Sequence, residues 1–536
     1  MLTVTRPENL GQAASDTGIG SGAGAGSGAG AGSGAGAGSA GRVYLIGAGP
    51  GDPGLLTLRG AECLSLCDVV LYDGLSNPEI LTHAAGANCI SVGKHGGDRI
   101  WKQDEIVAEI LHHARAGKIV GRLKGGDPAV FARSAEEIDA CVDAGIEFEL
   151  VPGITAALAA GSYAGIPITH RGLASAVALV TGHEQPGKPE SAIDWPALAK
   201  FPGTLVVYMG VTTARAWTSS LIGAGKDPAT PTALVRRCSH ADQQQIHCRL
   251  DEVADRLTPA SKFRPPVITI IGEVTRLADT MHWLGRRPLF GQTVLVTRPA
   301  AKSDDLTRRL RSAGAAVITA PAIEITPVAD PSSIDRCIDA LADFDAVVFS
   351  SDAGVDHFLG RLMLRHNVRR LAGKTIGAVG GKTAAALRRY GVVADRVPTV
   401  SNAESFVDQF GGSMSRQSVL VVTASRGRTV MTDGLAAAGA RVQTLVAYDH
   451  RDVETLPDGV IAAIDAGEVD WVTVTSSATA ENLVRLLGDR MGRLRVASLS
   501  PVTSDALRGL GVEVDLTATD ASFESLTQSL IDHAEN

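Results

Sequence analysis

A chain of 536 residues is long enough for about three or four domains, and 45% hydrophobic with 20% charged residues is the balance of a protein that buries real cores. Aromatics at 4% leave few stacking platforms for single-stranded nucleic acid. A formal charge of −8, from 50 Lys+Arg against 58 Asp+Glu, shows no basic excess for a nucleic-acid partner.

Seven cysteines, Cys63, Cys67, Cys89, Cys141, Cys238, Cys248 and Cys337, are scattered and odd in number. They read as core packing in a reducing compartment, not as a disulfide framework, and no second ligand pair suggests a metal. No apolar run approaches the ~18 residues of a membrane span. The N-terminus lacks a signal-peptide core, and Glu8 and Asp16 argue against a transit peptide. The expectation is a cytoplasmic protein without membrane or nucleic-acid partners.

Residues 1–42 read as a tail, because 18–41 are almost only Gly, Ala and Ser and cannot bury a core. Apolar strands are then predicted over 42–47, 68–72, 118–122, 147–151, 176–180, 204–208 and 267–271, alternating with helical patterns. That alternation argues an α/β fold with largely parallel strands.

The loop after the first strand, Gly47-Ala-Gly-Pro-Gly-Asp52, lacks the third small residue of a dinucleotide fingerprint. Asp52 would repel a pyrophosphate at a helix N-terminus, and Pro50 removes an amide donor. A phosphate-free, positively charged cofactor suits it better, and S-adenosylmethionine is one. Gly125, Gly126 and Asp127, in Arg-Leu-Lys-Gly-Gly-Asp-Pro, also follow a strand, and ligands of open α/β sheets sit at that edge.

A second unit opens near Gly291 and repeats itself. Block 294–314 resembles 419–439, 344–351 resembles 469–476, and 383–391 resembles 503–511. Two similar α/β lobes with a cleft between them follow. Gly380-Gly-Lys-Thr383 mimics the end of a phosphate loop, but Ile376 stands where such a loop needs glycine, which argues against an ATPase.

Residues 43–288 resemble uroporphyrinogen-III C-methyltransferases of the tetrapyrrole methylase family. The resemblance rests on GAGPGDPGLLTL, YDGL, RLKGGDP, VPGITAA, GIPITHR, TGH, YMG and IGEV, in that order. It implies two α/β lobes, S-adenosylmethionine between them, no metal and a homodimer. Matched by position, Pro50, Gly125, Gly126, Asp127, Val130, Thr155, Ala156 and Met209 would line the cofactor. Asp73 would be the proton acceptor and Lys94 the proton donor; a carboxylate is the group to take the proton a methylated pyrrole carbon loses. Departures at Gly74, Ala129, Ala132, Ser134, Ala135 and Cys238 would reshape the pocket wall.

Residues 291–532 resemble uroporphyrinogen-III synthases, through VLVTRP, FDAVVFSS, GAVGGKTAAAL, VAYDH and VDWVTVTSS. The resemblance implies one lobe of 293–325 plus 450–532 and another of 330–442. Ser350, Ser351, Thr383, Thr475, Ser476, Ser477 and Thr503 would hold carboxylates of hydroxymethylbilane, and Tyr448 would serve as acid. Ser500 replaces a commoner glycine. Each hydroxyl also fits a helix N-cap. Because both substrates are polyanionic, Arg59, Lys94, Arg122, Lys124, Arg171 and Arg298 are expected to gather at the sites.

The resulting reading is a bifunctional enzyme that makes uroporphyrinogen III and methylates it twice to precorrin-2, for siroheme or cobalamin. No third unit with an NAD-type loop is seen, so dehydrogenation and metal insertion lie elsewhere. The alternative is an active methyltransferase fused to a non-catalytic tetrapyrrole-sensing bilobal domain.

Overall fold

The structure is a computed structural model and describes residues 41–93, 101–184, 192–261, 263–299, 304–427 and 429–535. The expected Gly/Ala/Ser tail falls almost wholly outside them. The first sheet holds β1 (Arg42–Gly47), β2 (Val69–Tyr72), β3 (Asn88–Ser91), β4 (Ile119–Lys124) and β5 (Glu147–Val151), all parallel, in the order β3-β2-β4-β1-β5. Strand alternation splits its core. Val43 and Leu45 of β1 pack with Ile106 and Ile110, whereas Tyr44 and Ile46 pack with Cys63 and Leu64 on the other face. Helices cover both faces, so β1 and β4 are buried almost throughout, and β4 carries Arg122 and Lys124 inside with it.

The second sheet holds β6 (Val177–Thr181), β7 (Thr204–Tyr208), β8 (Pro231–Arg236), β9 (Gln244–Arg249) and β10 (Val267–Ile271), in the order β6-β7-β10-β8-β9. Here the expectation of largely parallel strands fails. β10 runs antiparallel to both β7 and β8, and β8 to β9. β8 and β9 are joined by a short turn instead of a crossover helix, and antiparallel strands need no more.

The C-terminal half adds β11 (Thr293–Val296), β12 (Ala316–Thr319), β13 (Ile323–Pro327), β14 (Ala346–Phe349), β15 (Thr375–Ala378), β16 (Ser418–Ala424), β17 (Arg441–Asp452), β18 (Trp471–Val474), β19 (Arg495–Ser498) and β20 (Leu516–Thr517). One sheet is β12-β11-β18-β19-β20 and the other β13-β17-β16-β14-β15. The repeated blocks put β11 opposite β16 in role, β18 opposite β14 and β19 opposite β15, so the two sheets share one order. They differ by a circular permutation, because the chain leaves the first lobe after β12 and returns ahead of β18, with Leu456, Val460 and Ile464 already in that lobe's core. The crossing points differ from the expected boundaries. β13 and the end of β17 pair antiparallel over Ile323–Pro327 and Tyr448–Asp452, so residues 323–325 and 450–452 belong to the second lobe's sheet, not the first. This ribbon is the double connection between the lobes.

Cys63, Cys67, Cys141, Cys238 and Cys337 are buried, as core packing requires, but Cys89 on edge strand β3 is exposed. No helix among the described residues is long and apolar enough to cross a membrane, and no cluster of metal-ligating side chains occurs there.

Candidate functional site

In the N-terminal half, three loops at carboxyl ends of strands meet through bare backbone. Gly49 N–H donates to the Gly126 carbonyl (3.1 Å) and Gly126 N–H to that of Gly49 (2.7 Å). A Cβ on Gly47 would lie 2.5 Å from Gly153 Cα and 2.8 Å from Gly126 O. Gly126 in turn faces the backbone of Thr155 and Ala156, and its φ of +74° is one that glycine adopts freely. The Asp127 carboxylate fixes this cradle: it accepts from Ala129 N–H (2.7 Å) and Gly153 N–H (3.0 Å).

Asp73, at the end of β2, stands beside the cradle. Its carboxylate accepts from Leu75 N–H (3.2 Å), Ser76 Oγ (3.1 Å) and Gly125 N–H (3.3 Å), and Arg122 Nη2 lies 4.0 Å away. The second lobe adds Tyr208, whose hydroxyl accepts from Ala157 N–H (2.8 Å) and bonds Thr155 Oγ1 (2.6 Å). Burial raises the Tyr208 phenol above its usual range, so it stays neutral. The next residue, Met209, is half exposed, with a left-handed φ of 53°. Val130 packs against the second lobe's core, and Phe131 stacks 5.0 Å from Tyr208.

Asp52 corrects the electrostatic argument made from sequence. Its oxygens are taken by Gly54 N–H (2.8 Å) and the Tyr163 hydroxyl (2.8 Å), and its own N–H donates to Ser239 Oγ (3.0 Å). It ties the Pro50 loop to the second lobe and does not select a cationic cofactor. His240 closes over Gly51 on the same side, and burial, helped by Arg237, pushes its pKa down to about 4.

In the C-terminal half, four helices begin where strands end. Asp352–Met363 follows β14, Gly381–Arg389 follows β15, Ser477–Leu487 follows β18 and Pro501–Gly509 follows β19. Ser351, Ser476 and Ser500 cap three of them, accepting from Gly354 (3.0 Å), Thr479 (3.2 Å) and Thr503 (3.4 Å) N–H groups, while Gly380 opens the fourth without a side-chain cap. Each N-terminus carries roughly half a positive charge, so the two lobes together offer a field for several carboxylates. Tyr448 lies at the junction, 3% exposed, with its hydroxyl 2.9 Å from Ser351 Oγ. His357 stacks on it at 5.5 Å and His450 meets its edge at 5.3 Å. Burial raises the Tyr448 phenol above its ordinary value, which keeps it protonated.

Comparison with known proteins follows the same division. Residues 42–254 match the family of tetrapyrrole (corrin/porphyrin) methylases, and 304–528 match the family of uroporphyrinogen-III synthase HemD. The porphyrin biosynthesis protein HemD of Ruminiclostridium josui is 31% identical over 499 residues, covering 92% of this chain and 98% of that one. This chain is a member of that fused methylase–synthase family. The S-adenosyl-L-methionine-dependent uroporphyrinogen III methyltransferase of Methanosarcina barkeri is 46% identical over 45% of this chain and 94% of its own length. Among solved structures, the uroporphyrin-III C-methyltransferase of Thermus thermophilus complexed with S-adenosylhomocysteine shares 43% identity, with a TM-score of 0.39, over 44% of this chain and 99% of its own.

Within the methylase half the structure brings Pro50, Asp73, Gly125, Gly126, Asp127, Thr155 and Ala156 around one cleft. Lys94 lies outside the described residues; Gly93 before it packs so closely on Gly74 that a Cβ there would strike the Gly74 nitrogen. The lost loop glycines carry no strain, since the left-handed residues of that stretch are Phe131 and Arg133, not Ala132, Ser134 or Ala135. Cys238 rests 3.8 Å from the Ala156 carbonyl, and burial drives its thiol up to about 12.

The expected gathering of free cations fails at three positions. Arg122 and Lys124 are buried on Glu137 at 3.1 and 2.6 Å, and Arg59 pairs with Glu149 and Glu62 on the surface. Sequence reasoning missed Glu137, Tyr208 and Tyr163. Only Tyr208 had a signal, in its Tyr-Met-Gly run. In the synthase half Ser351 meets Tyr448, Ser350 Oγ donates to the Val422 carbonyl (3.0 Å), and Thr383 and Thr503 are buried. Thr475 and Ser477 flank the Ser476 cap.

Proposed function

We propose that the synthase half closes hydroxymethylbilane to uroporphyrinogen III and that the methylase half methylates this product twice, to precorrin-2, with S-adenosylmethionine. The observation that carries the reading is the pairing, in one chain, of a glycine cradle beside a fixed carboxylate with a second cleft ringed by helix N-termini. When bound, the cofactor supplies an electrophilic methyl group. Gly47 and Gly153 fit such a group by leaving backbone bare where a Cβ would strike the facing loop, and Gly126 by holding a left-handed φ of 74°. Thr155, Ala156 and Met209 close the far wall, and Val130 supports it. Asp73, held by the Gly125 amide, takes the proton that the methylated ring carbon releases, and Lys94 acts as donor.

In the synthase half the capped helix ends hold the substrate's carboxylates in one folded geometry, which is most of the catalysis such a ring closure needs. Ser350, Ser351, Thr383, Thr475, Ser476, Ser477 and Thr503 line those ends. Tyr448 donates the proton that lets the substrate hydroxyl leave as water. A homodimer through the methylase half is supported by partly exposed apolar side chains on edge strands β5 and β6: Phe148 (36%), Leu150 (39%), Val177 (36%) and Leu179 (37%). The product serves siroheme or cobalamin synthesis in the cytoplasm.

The test gives the full-length protein hydroxymethylbilane with and without S-adenosylmethionine. Isomer III without the cofactor and a dimethylated product with it is the expected result. Isomer I alone, the outcome of uncatalysed closure, would reduce the C-terminal half to a sensor.

A further inference from the structure

Three buried charges stand behind Asp73 and belong to no step of the methyl transfer described above. Arg122 and Lys124 lie at the end of β4, and helix Ser134–Asp143 brings Glu137 against both. Glu137 is 1% exposed, Lys124 3% and Arg122 4%. Glu137 Oε2 accepts from Lys124 Nζ (2.6 Å), and its Oε1 accepts from Arg122 Nε (3.1 Å) and from the Gln103 amide (3.1 Å). Arg122 Nη1 donates to the carbonyls of Leu123 (3.0 Å) and of Leu71 (3.4 Å) in β2, two residues ahead of Asp73. The guanidinium is thus fixed at Nε and Nη1, and its Nη2 lies 4.0 Å from Asp73 Oδ2. Charges taken out of water are costly unless they are paired. One carboxylate against two cations leaves an excess of one positive charge, and Asp73 meets that excess from the cleft side. Burial, and after it the Arg122 charge, pulls the Lys124 ammonium below its ordinary range, while Glu137 and Asp73 act in the opposite direction.

We propose that Glu137 is a positioning residue for methyl transfer. It cancels Lys124 and holds Arg122 by Nε, so that Asp73 faces one net positive charge, presented by one fixed edge of a guanidinium. A single such charge steadies the carboxylate. A second would hold its electron pairs too tightly for it to take a proton, since an added positive neighbour weakens a carboxylate as a base. The inference rests on the reading of Asp73 as proton acceptor, and it explains why a cleft for an anionic substrate keeps two cations locked inside the sheet.

Steady-state methylation of uroporphyrinogen III by the full-length protein tests it. E137Q keeps the shape of the side chain and leaves both cations acting on Asp73. The expected result is a kcat lowered about tenfold. KM for uroporphyrinogen III and S-adenosylhomocysteine affinity by calorimetry stay within twofold, because a side chain 1% exposed touches neither ligand. K124M/E137Q removes one charge of each sign and brings kcat back to within about threefold of wild type. R122K keeps the charge but has no fork with which to hold Glu137 and face Asp73 together, so kcat falls about fivefold at unchanged KM. R122K also decides the matter if the cations left by E137Q prevent folding. A folded E137Q or R122K with wild-type kcat overturns the inference. So does K124M/E137Q as slow as E137Q, or losses of KM and cofactor affinity as large as the loss of kcat, the mark of a purely structural role. D73N within tenfold of wild type removes the acceptor reading itself, whereas an impaired D73N beside an unimpaired E137Q removes only the role of Glu137.

Discussion

The two clefts of this chain are built from different materials. The methylase cleft is made of backbone. Gly47 and Gly153 approach so closely that side chains are excluded, Gly49 and Gly126 hold a left-handed φ of 74°, and Asp127 and Asp52 tie the loops to one another and to the second lobe. The synthase cleft is made of helix ends and hydroxyls, and its lobes are joined by the β13–β17 ribbon. Close approach tolerates one residue type. A helix N-terminus accepts Ser, Thr, Asp, Asn or Gly almost equally. The first cleft is rigid and chemically narrow; the second is adaptable and spreads its work over many small contributions.

If that contrast is right, the largest single loss belongs to the methylase half. Asp73 is the single carboxylate proposed to take the proton, and D73N keeps its shape while removing its basicity. Methyl transfer to uroporphyrinogen III should fall about 10²–10⁴-fold, with S-adenosylhomocysteine affinity by calorimetry unchanged. A D73N enzyme within tenfold of wild type would mean that the proton leaves by another route. In the synthase half Y448F should cost less, about 10–100-fold in the rate of isomer III formation, because binding geometry supplies most of the acceleration. The pH profile sharpens this. The role proposed for Tyr448 is that of a proton donor, and burial raises its pKa. Its protonated form thus persists above the ordinary phenol value of about 10, so the alkaline limb of the cyclisation profile should lie above that value. A limb below it would assign the acid to another group.

The same contrast explains what was legible in the sequence. The loop meeting of the methylase half was legible in its glycines, since Gly47 and Gly153 mark a close approach and Gly49 and Gly126 a left-handed φ. Its second sheet was not: β9 is the mostly polar run Gln-Gln-Ile-His-Cys-Arg, and nothing in Pro231–Arg236 or Val267–Ile271 distinguishes antiparallel from parallel pairing. The synthase half announced itself through duplication. Its hydroxyls were ambiguous by nature, and Ser351 and Ser476 prove to be helix caps, Ser351 also meeting the Tyr448 hydroxyl. Arg122 and Lys124 looked like substrate cations because the carboxylate that neutralises them, Glu137, lies 13 residues beyond Lys124. Tyr163 clamps Asp52 from 111 residues away, beyond the reach of any local pattern.

A smaller effect should show whether the backbone cleft is as rigid as its contacts imply. His240 covers Gly51, and its pKa is held at about 4 against an unfolded value near 6.5. Between those values the unfolded chain binds a proton that the folded chain refuses, so stability falls as pH drops through 6.5. By pH 5 the loss should be about 2 kcal/mol. It should vanish in H240Q, measured as the difference in urea midpoints at pH 7 and pH 5. Equal slopes in wild type and H240Q would show that the ring reaches water.

The smallest effect concerns the seam between the halves. Arg311 of the synthase half places its guanidinium 2.5 and 2.7 Å from the two carboxylate oxygens of Glu79 in the methylase half. Both side chains are more than a third exposed, and such pairs contribute about 0–1 kcal/mol. The connecting segment is held more firmly by other means. Trp283 Nε1 donates to the Ser162 carbonyl (2.8 Å), Arg287 stacks on Trp283 (4.5 Å), and Leu289 is buried in the core of the first synthase lobe. R311A should therefore leave the conversion of hydroxymethylbilane to dimethylated product within about twofold of wild type, whereas W283A removes both an anchored hydrogen bond and the platform for Arg287. A fall in the coupled rate in R311A, with each separate activity intact, would mean that the exposed ion pair, and not the packed linker, sets how the halves face each other.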